Sequence, residues 1–275
     1  MSAPDTHTQP WKKIANTWKN IGIGSRPSRH IIQAMERFFL RATRGKKTVQ
    51  ALVFGATPEI RSMLAKYPNT TVTVLDVNLE MMRAMAELMT KHPRREIWVR
   101  ANWLDAPLAE HYYDVTFGDY IKGNVPYKDQ PALYRQIHHL LKPGGSHIER
   151  LFSFFPDAPR YGLEAIIDRY SKMKPTFQHA TDLFGYLVFL THNDSLCTTD
   201  RMFRILHDVR SRPHMKEYDR LIRQIIVPGK TWSHGIPWSR DQRTVIRYFT
   251  LSDRADDDTV FHKWSHVFYM KPRRI

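Results

Sequence analysis

The sequence predicts an α/β domain built on a mostly parallel sheet, and three observations carry that prediction. Residues 49–54 (VQALVF) form an apolar run without polar alternation, the pattern of a strand covered on both faces. Gly55 then turns the chain, and Thr57, Pro58 and Glu59 open a helix: a Thr hydroxyl accepts an orphan N–H, and Pro is tolerated at the first helical position. A second apolar strand, 71–75 (TVTVL), ends in Asp76 about twenty residues beyond the turn. An ionised carboxylate there is placed to accept two ribose hydroxyls in a nucleotide-binding crevice.

The remaining elements follow in chain order. Residues 1–10 read as disordered. Trp11, Ile14, Trp18 and Ile21 recur at helical spacing, and Gly22, Gly24 and Pro27 break that helix. Ser28 caps a second helix running to about Arg41, with Ile31, Ile32, Met35, Phe38 and Phe39 inward. Beyond Asp76, Asn78 caps a helix over 79–90, and residues 97–99 are a third strand. Residues 113–117 are a fourth, ending in Gly118-Asp119-Tyr120; residues 131–141 are a helix stopped by Pro143-Gly144-Gly145, and 147–152 are a fifth strand.

Glu149 and Arg150 stand inside that fifth strand, where an unpaired charge is costly. They form either a buried salt bridge at the sheet end or, for Arg150, a contact with a carboxylate or phosphate substrate. Residues 153–240 read as helices over 161–173, 181–191, 199–209 and 215–227, an insertion with its own packed face, placed to cap a substrate pocket. The stretch Trp232 to Trp238 adds aromatic walls and His234, which is either a base or simply exposed. Residues 244–251 and 260–270 are the closing strands, joined by an acidic turn at 253–258.

Composition narrows the class. With 275 residues, 42% hydrophobic and 12% aromatic, the chain can bury one full α/β core plus an insertion. A single cysteine, Cys197, excludes a disulfide framework and reads as a packed side chain. No stretch approaches the ~20 apolar residues of a membrane span, so a soluble, cytoplasmic protein is expected. No His/Cys cluster has zinc spacing, and no metal is expected; His266 is one of several scattered histidines. The formal charge of +15 points to anionic partners, a small acidic or polar molecule ahead of nucleic acid, since no RNA-binding signature or dense basic tail is present.

The order of motifs over residues 49–152 resembles that of the class I S-adenosylmethionine-dependent methyltransferases. The residues that carry it are FGATPE, VLDVN, VRANWLD, YDVTFGDYIKGN and LLKPGGSHIERLF. Within that family the chain is most similar to a subgroup with a G-x-T-P-E first loop, preceded by two Trp and an Arg-Pro, here Trp11, Trp18 and Arg26-Pro27. The resemblance implies a Rossmann-like seven-stranded sheet, with an N-terminal helical lid (1–44), a cofactor-binding core (45–152), a helical cap (153–240) between strands five and six, and a closing hairpin (241–275). It implies S-adenosyl-L-methionine as cofactor, held by Gly55, Thr57, Glu59, Asp76, Val77, Asn102, Trp103 and Asp119, with Asn102 and Trp103 beside the adenine. Trp18 and Arg26 are further binding candidates in the lid.

Where the wider family has an acid and two further glycines in its first loop, this chain has Val53, Thr57 and Glu59. That loop suits a cofactor without a pyrophosphate. Glu59 either meets the cofactor's cationic side or favours the helix dipole. Asp119 and Tyr120, at the crevice end of the fourth strand, stand near the reactive methyl; Tyr120 is the first candidate base and His234 the second. Arg150 is the candidate substrate contact for an anionic acceptor. Asn124-Val-Pro-Tyr127 resembles the Asn-Pro-Pro-Tyr loop of amino-group methyltransferases but comes five residues late, with Val for Pro, and reads as an ordinary loop. RNA methylation and a methyltransferase-like binding or regulatory role are the alternatives.

Overall fold

The computed structural model describes residues 17–190, 197–226, 229, 231–232 and 237–274. Among them a seven-stranded sheet runs in the order β3-β2-β1-β4-β5-β9-β8. The strands are β1 (Val49–Phe54), β2 (Thr70–Asp76), β3 (Arg95–Arg100), β4 (Tyr113–Asp119), β5 (Leu141–Phe152), β8 (Phe249–Asp256) and β9 (Ser265–Pro272). β1 to β5 pair in parallel, and β9 is antiparallel to β5 and β8. The order reverses between β1 and β4, and the crevice beyond that switch point is where ligands bind in open α/β sheets. β1, β4 and β5 are almost wholly buried because both faces are covered; β1 reads as a nearly unbroken apolar run, whereas β4 buries Asp114 and Thr116 and β5 buries His147, Glu149 and Arg150.

Helix α1 (Arg29–Ala42) begins at Ser28, whose hydroxyl accepts from the Ile31 amide, and buries Ile31, Ala34, Met35, Phe38 and Phe39 as the spacing requires. α2 (Pro58–Leu64) starts with Pro at N1, but the Thr57 side chain makes no capping bond, contrary to expectation. Its fully buried Arg61 instead makes a two-pronged bond to Glu96 on β3, at 2.9 and 2.7 Å, holding the helix against the sheet edge. Asn78 caps α3 (Leu79–Glu87) through the Met81 amide. α4 (Gln130–Leu140) leads into β5.

The insertion is helical as expected, with α5 (Leu163–Ser171), α6 (Phe177–Leu190), α7 (Thr199–Asp208) and α8 (Met215–Ile225). Its buried Ile167, Leu183, Leu187, Met202 and Ile222 belong to the same core cluster as one face of the sheet, so it is packed onto the domain. A short antiparallel pair, β6 (Cys197–Thr198) and β7 (Thr231–Trp232), ties the chain before α7 to the stretch after α8. The side chain of Cys197, most of the N-terminal Trp11–Ile21 segment, Trp11 included, and His234 lie outside the described residues. The described end of that segment, Trp18–Asn20, is one 3-10 turn.

Three stretches differ from expectation: β5 begins at Leu141, so Pro143-Gly144-Gly145 lies inside the strand; β9 begins at Ser265 and not at 260; and the strand expected from 244 starts later. Residues 244–246 close a helix, α9 (Trp238–Ile246), and the eighth strand begins only at Phe249 and runs through the acidic stretch to Asp256. The apolar periodicity of this segment is ambiguous because α9 is amphipathic with just Asp241 and Val245 fully buried. Among the described residues, no helix is long and apolar enough to cross a membrane.

Candidate functional site

Across the carboxyl ends of the strands lies a cavity of about 500 Å³. Its wall contains Gly55 and Thr57 from the first turn, Asp76 and Val77 from the end of β2, Asn102 and Trp103 beyond β3, and Asp119 and Tyr120 at the end of β4. These are eight of the residues singled out from sequence, brought together from four strand ends.

Local geometry explains several of them. Gly55 has φ +84°, a left-handed conformation that favours glycine, while its amide donates to Leu75 O at 2.9 Å. Space is not the constraint there, since a Cβ would meet only the Trp103 ring at 3.6 Å. Trp103 is fixed by its indole N–H, which donates to Leu75 O at 2.8 Å, and by an edge contact with Phe54. Asn102 accepts from the Leu104 amide at 3.1 Å, and Asp76 accepts from the Asn78 amide at 2.8 Å, so each sits in a rigid turn. Because the Trp103 indole also holds the strand carbonyl, Trp103→Phe is expected to keep the ring surface yet lower Tm. Trp103→Ala should weaken cofactor binding as well, by ~1 kcal/mol or more in calorimetry; equal cofactor affinity in wild type and Trp103→Ala would remove the ring from the site.

Glu59 is not on the cavity wall. It stands in the first turn of α2, where Oε1 accepts from the Trp18 indole at 3.3 Å and lies 3.7 Å from Arg26. Burial pushes its carboxyl above the usual range, and its Oε2 is buried without a hydrogen-bond partner. Trp18 and Arg26 thus meet through Glu59, an arrangement that spacing alone does not reveal.

Arg150 has a different environment from the one expected for a substrate contact. Its guanidinium is fully buried, off the cavity wall, and donates from Nε to Asp119 at 2.6 Å and to the carbonyls of Gly24, Ser25 and Arg26 at 3.2–3.4 Å. Asp257 lies 3.9 Å away and the Tyr120 ring lies beneath at 3.9 Å. Burial opposes the charge, but Asp119, Tyr120 and Asp257 raise the guanidinium above its ordinary range. Burial also pushes the Asp119 carboxyl up, and Arg150 pulls it back. Glu149 is not the partner, because adjacent strand residues point to opposite faces. Glu149 accepts from the Tyr134 hydroxyl at 3.0 Å and lies 3.0 Å from His147 Nε2, in a buried network on the α4 and α9 side.

Tyr120 is poorly suited to act as a base. Burial pushes its phenol well above its usual value, and the hydroxyl donates to Ser265 at 2.8 Å. Its backbone is left-handed at φ +55°, a strained conformation for a non-glycine residue, of order 1–2 kcal/mol, held where β4 leaves the sheet. His266 is packed against Phe155, and burial lowers its pKa to about 4, so it is a neutral core residue.

Other wall residues were not singled out from sequence. Asn124, Val125, Pro126 and Asp129 come from the loop after β4 that reads as ordinary, and Phe184, Val188, Ile226 and Phe261 come from the insertion and the β8–β9 connection. The Asn-Val-Pro-Tyr string was a usable signal for the former; nothing local marks the latter, since an apolar residue facing a pocket looks like one facing a core.

Residues 54–145, a third of the chain, match the family model described as a methyltransferase domain. This segment is a methyltransferase domain. No curated protein matches the chain. Among solved structures it is similar to the CcbJ methyltransferase of Streptomyces caelestis, at 14% identity and TM-score 0.57 over 98% of this chain and all of that one. A methyltransferase of Methanosarcina mazei, described as S-adenosylmethionine-dependent, matches at 13% identity and TM-score 0.52, covering 84% and 94%. A Rhodobacter sphaeroides protein described as a candidate zinc-dependent alcohol dehydrogenase matches at 15% identity and TM-score 0.58, covering 98% and all of it. At such identities these likenesses show the fold alone.

The cofactor of the methyltransferase domain is S-adenosyl-L-methionine, and the cavity wall fits it. Among the described residues the wall carries the acids Asp76, Asp119 and Asp129 and no Lys, Arg or His. A sulfonium cation is favoured by such a wall, whereas the pyrophosphate of a dinucleotide would find no cation among the described lining residues.

Proposed function

We propose that the chain transfers a methyl group from S-adenosyl-L-methionine to a small molecule held in the same cavity. The observation that carries this reading is Asp76 at the end of β2, on the wall of a cavity that straddles the β1/β4 switch point. In this reading Asp76 accepts the ribose hydroxyls, Val77, Asn102 and Trp103 flank the adenine, and Gly55, Thr57 and Asp119 border the methionine part. Glu59 acts at one remove, fixing Trp18 and Arg26. Arg150 is a positioning residue, joining Asp119 to the 24–26 segment. The cofactor supplies an activated methyl for in-line displacement, so the chain's main task is alignment and exclusion of water.

Tyr120, as a hydrogen-bond donor with a raised pKa, orients and does not deprotonate; a base, where the acceptor needs one, falls to His234. Residues 1–44 serve as a lid and 153–240 as a cap over the core of 45–152 and its hairpin, 241–275. The basic charge of +15 supports a second reading, methylation of RNA or another nucleic acid. Methyl incorporation into RNA, with affinity falling steeply in salt, would favour it.

Calorimetry with S-adenosylhomocysteine tests the first reading. Asp76→Ala is expected to weaken binding by ~1–3 kcal/mol, since a charged acceptor of two hydrogen bonds is lost. The absence of any heat with wild-type protein at millimolar ligand would end it.

A further inference from the structure

The cavity has two chemically different ends. At the β2 and β3 side stand Asp76, Asn102 and Trp103. At the β5 side stands Phe152, with Phe261 against it and α6 against Phe261 in turn through Gly185; Phe184, Val188 and Ile226 are the further apolar wall residues from the insertion. Three strand spacings separate β2 from β5 in the sheet order, roughly 14 Å at the usual ~4.8 Å per strand, so one end does not screen the other. The apolar end is a continuous aromatic surface: Tyr120 to Phe152 is 6.1 Å between ring centroids and Phe152 to Phe261 is 6.3 Å. Phe261 packs so tightly on α6 that a Cβ on Gly185 would come within 2.3 Å of its ring, which holds the ring in place.

We infer that this end holds the methyl acceptor and that the acceptor is an uncharged, largely apolar small molecule with a flat ring. The inference rests on the methyltransferase reading and specifies its substrate class. An anionic acceptor was the expectation from Arg150 and the net charge, but the guanidinium is already bonded to Asp119 and three carbonyls. No cation stands on the described wall to replace it. Against the described wall an anion would therefore lose hydration without gaining a counter-ion. A planar apolar ring gains from both burial and aromatic contact.

The test uses two probes of one ring system, neutral 1-naphthol and anionic 1-naphthoate, titrated at pH 7 into full-length protein saturated with S-adenosylhomocysteine. Naphthol is expected to bind at least about tenfold tighter than naphthoate. Ile226→Trp, which fills the chamber, should weaken naphthol by about tenfold or more and leave S-adenosylhomocysteine affinity unchanged. Phe184→Ala, which removes a wall without adding bulk, should weaken naphthol severalfold and serves if the first variant does not fold. Naphthoate binding as well as or better than naphthol, or naphthol indifferent to the substitutions, would overturn the acceptor class. Failure of S-adenosylhomocysteine to bind wild-type protein would instead overturn the reading on which it rests.

Discussion

Arg150→Met is expected to lower Tm by about 6–20 °C and to weaken cofactor binding about tenfold. The guanidinium is fully buried and paired with Asp119 at 2.6 Å, with Asp257 3.9 Å away. Removing it leaves the buried Asp119 without its donor, Asp257 without its nearest cation, and the Gly24 and Ser25 carbonyls without the bonds it supplies. Breaking a buried pair in this way costs about 3–5 kcal/mol, and a chain of this size loses about 2–4 °C per kcal/mol. Affinity falls with stability because the same guanidinium holds the 24–26 segment, which supplies Gly24 and Ser25 to the cavity wall. Thermal melting and calorimetry with S-adenosylhomocysteine read the two effects. An unchanged Tm, together with a raised KM for an identified acceptor, would return Arg150 to a substrate contact.

Lys122→Met carries a comparable penalty by a different route. Lys122 Nζ is bonded to Asp241, both side chains being buried, and Ser153 donates to the same Asp241 oxygen at 2.7 Å. The pair joins the loop after β4 to α9, and thereby holds the loop that supplies Asn124, Val125 and Pro126 to the cavity. Without the ammonium, Asp241 is a buried, uncompensated carboxylate, at a cost of about 3–5 kcal/mol near neutral pH.

Burial already pushes the Asp241 carboxyl above its ordinary value, with Lys122 pulling it down; the substitution removes that pull. A carboxyl with a folded pKa above its unfolded value is stabilised by protonation, so the deficit is complete above the folded pKa and recedes as pH falls through it. The Tm difference between wild type and Lys122→Met should therefore narrow between pH 8 and pH 5. The double variant Lys122→Met/Asp241→Leu should recover most of the loss, because an apolar pair needs no counter-charge. A pH-independent deficit would place its origin in packing.

Much of the fold was legible. β1, β2 and the four inserted helices follow from apolar runs and from three-and-four spacing, since burial on both faces or on one stripe leaves that mark on the chain. Asp76 was legible because a strand end about twenty residues past a glycine turn has one natural place in a parallel sheet. α9 was not: its short apolar stripe is compatible with either period, and packing against α4 and β8 decides it.

The sequence by itself determined most of the order of elements, the switch-point crevice, and the wall residues Gly55, Asp76 and Asp119, because apolar runs and strand ends mark these locally; Asn102 and Trp103 were implied by the family resemblance. Tertiary structure alone decided what each charge faces. Glu149 and Arg150 are neighbours in sequence yet belong to separate networks, one on His147 and Tyr134, the other on Asp119 and the 24–26 carbonyls. It also decided that Phe152, Phe184 and Phe261, far apart along the chain, form one wall. Side-chain pairing and cavity lining depend on contacts between distant segments, and the electrostatic cost of each buried charge is set by those contacts and not by the residue's own position in the chain.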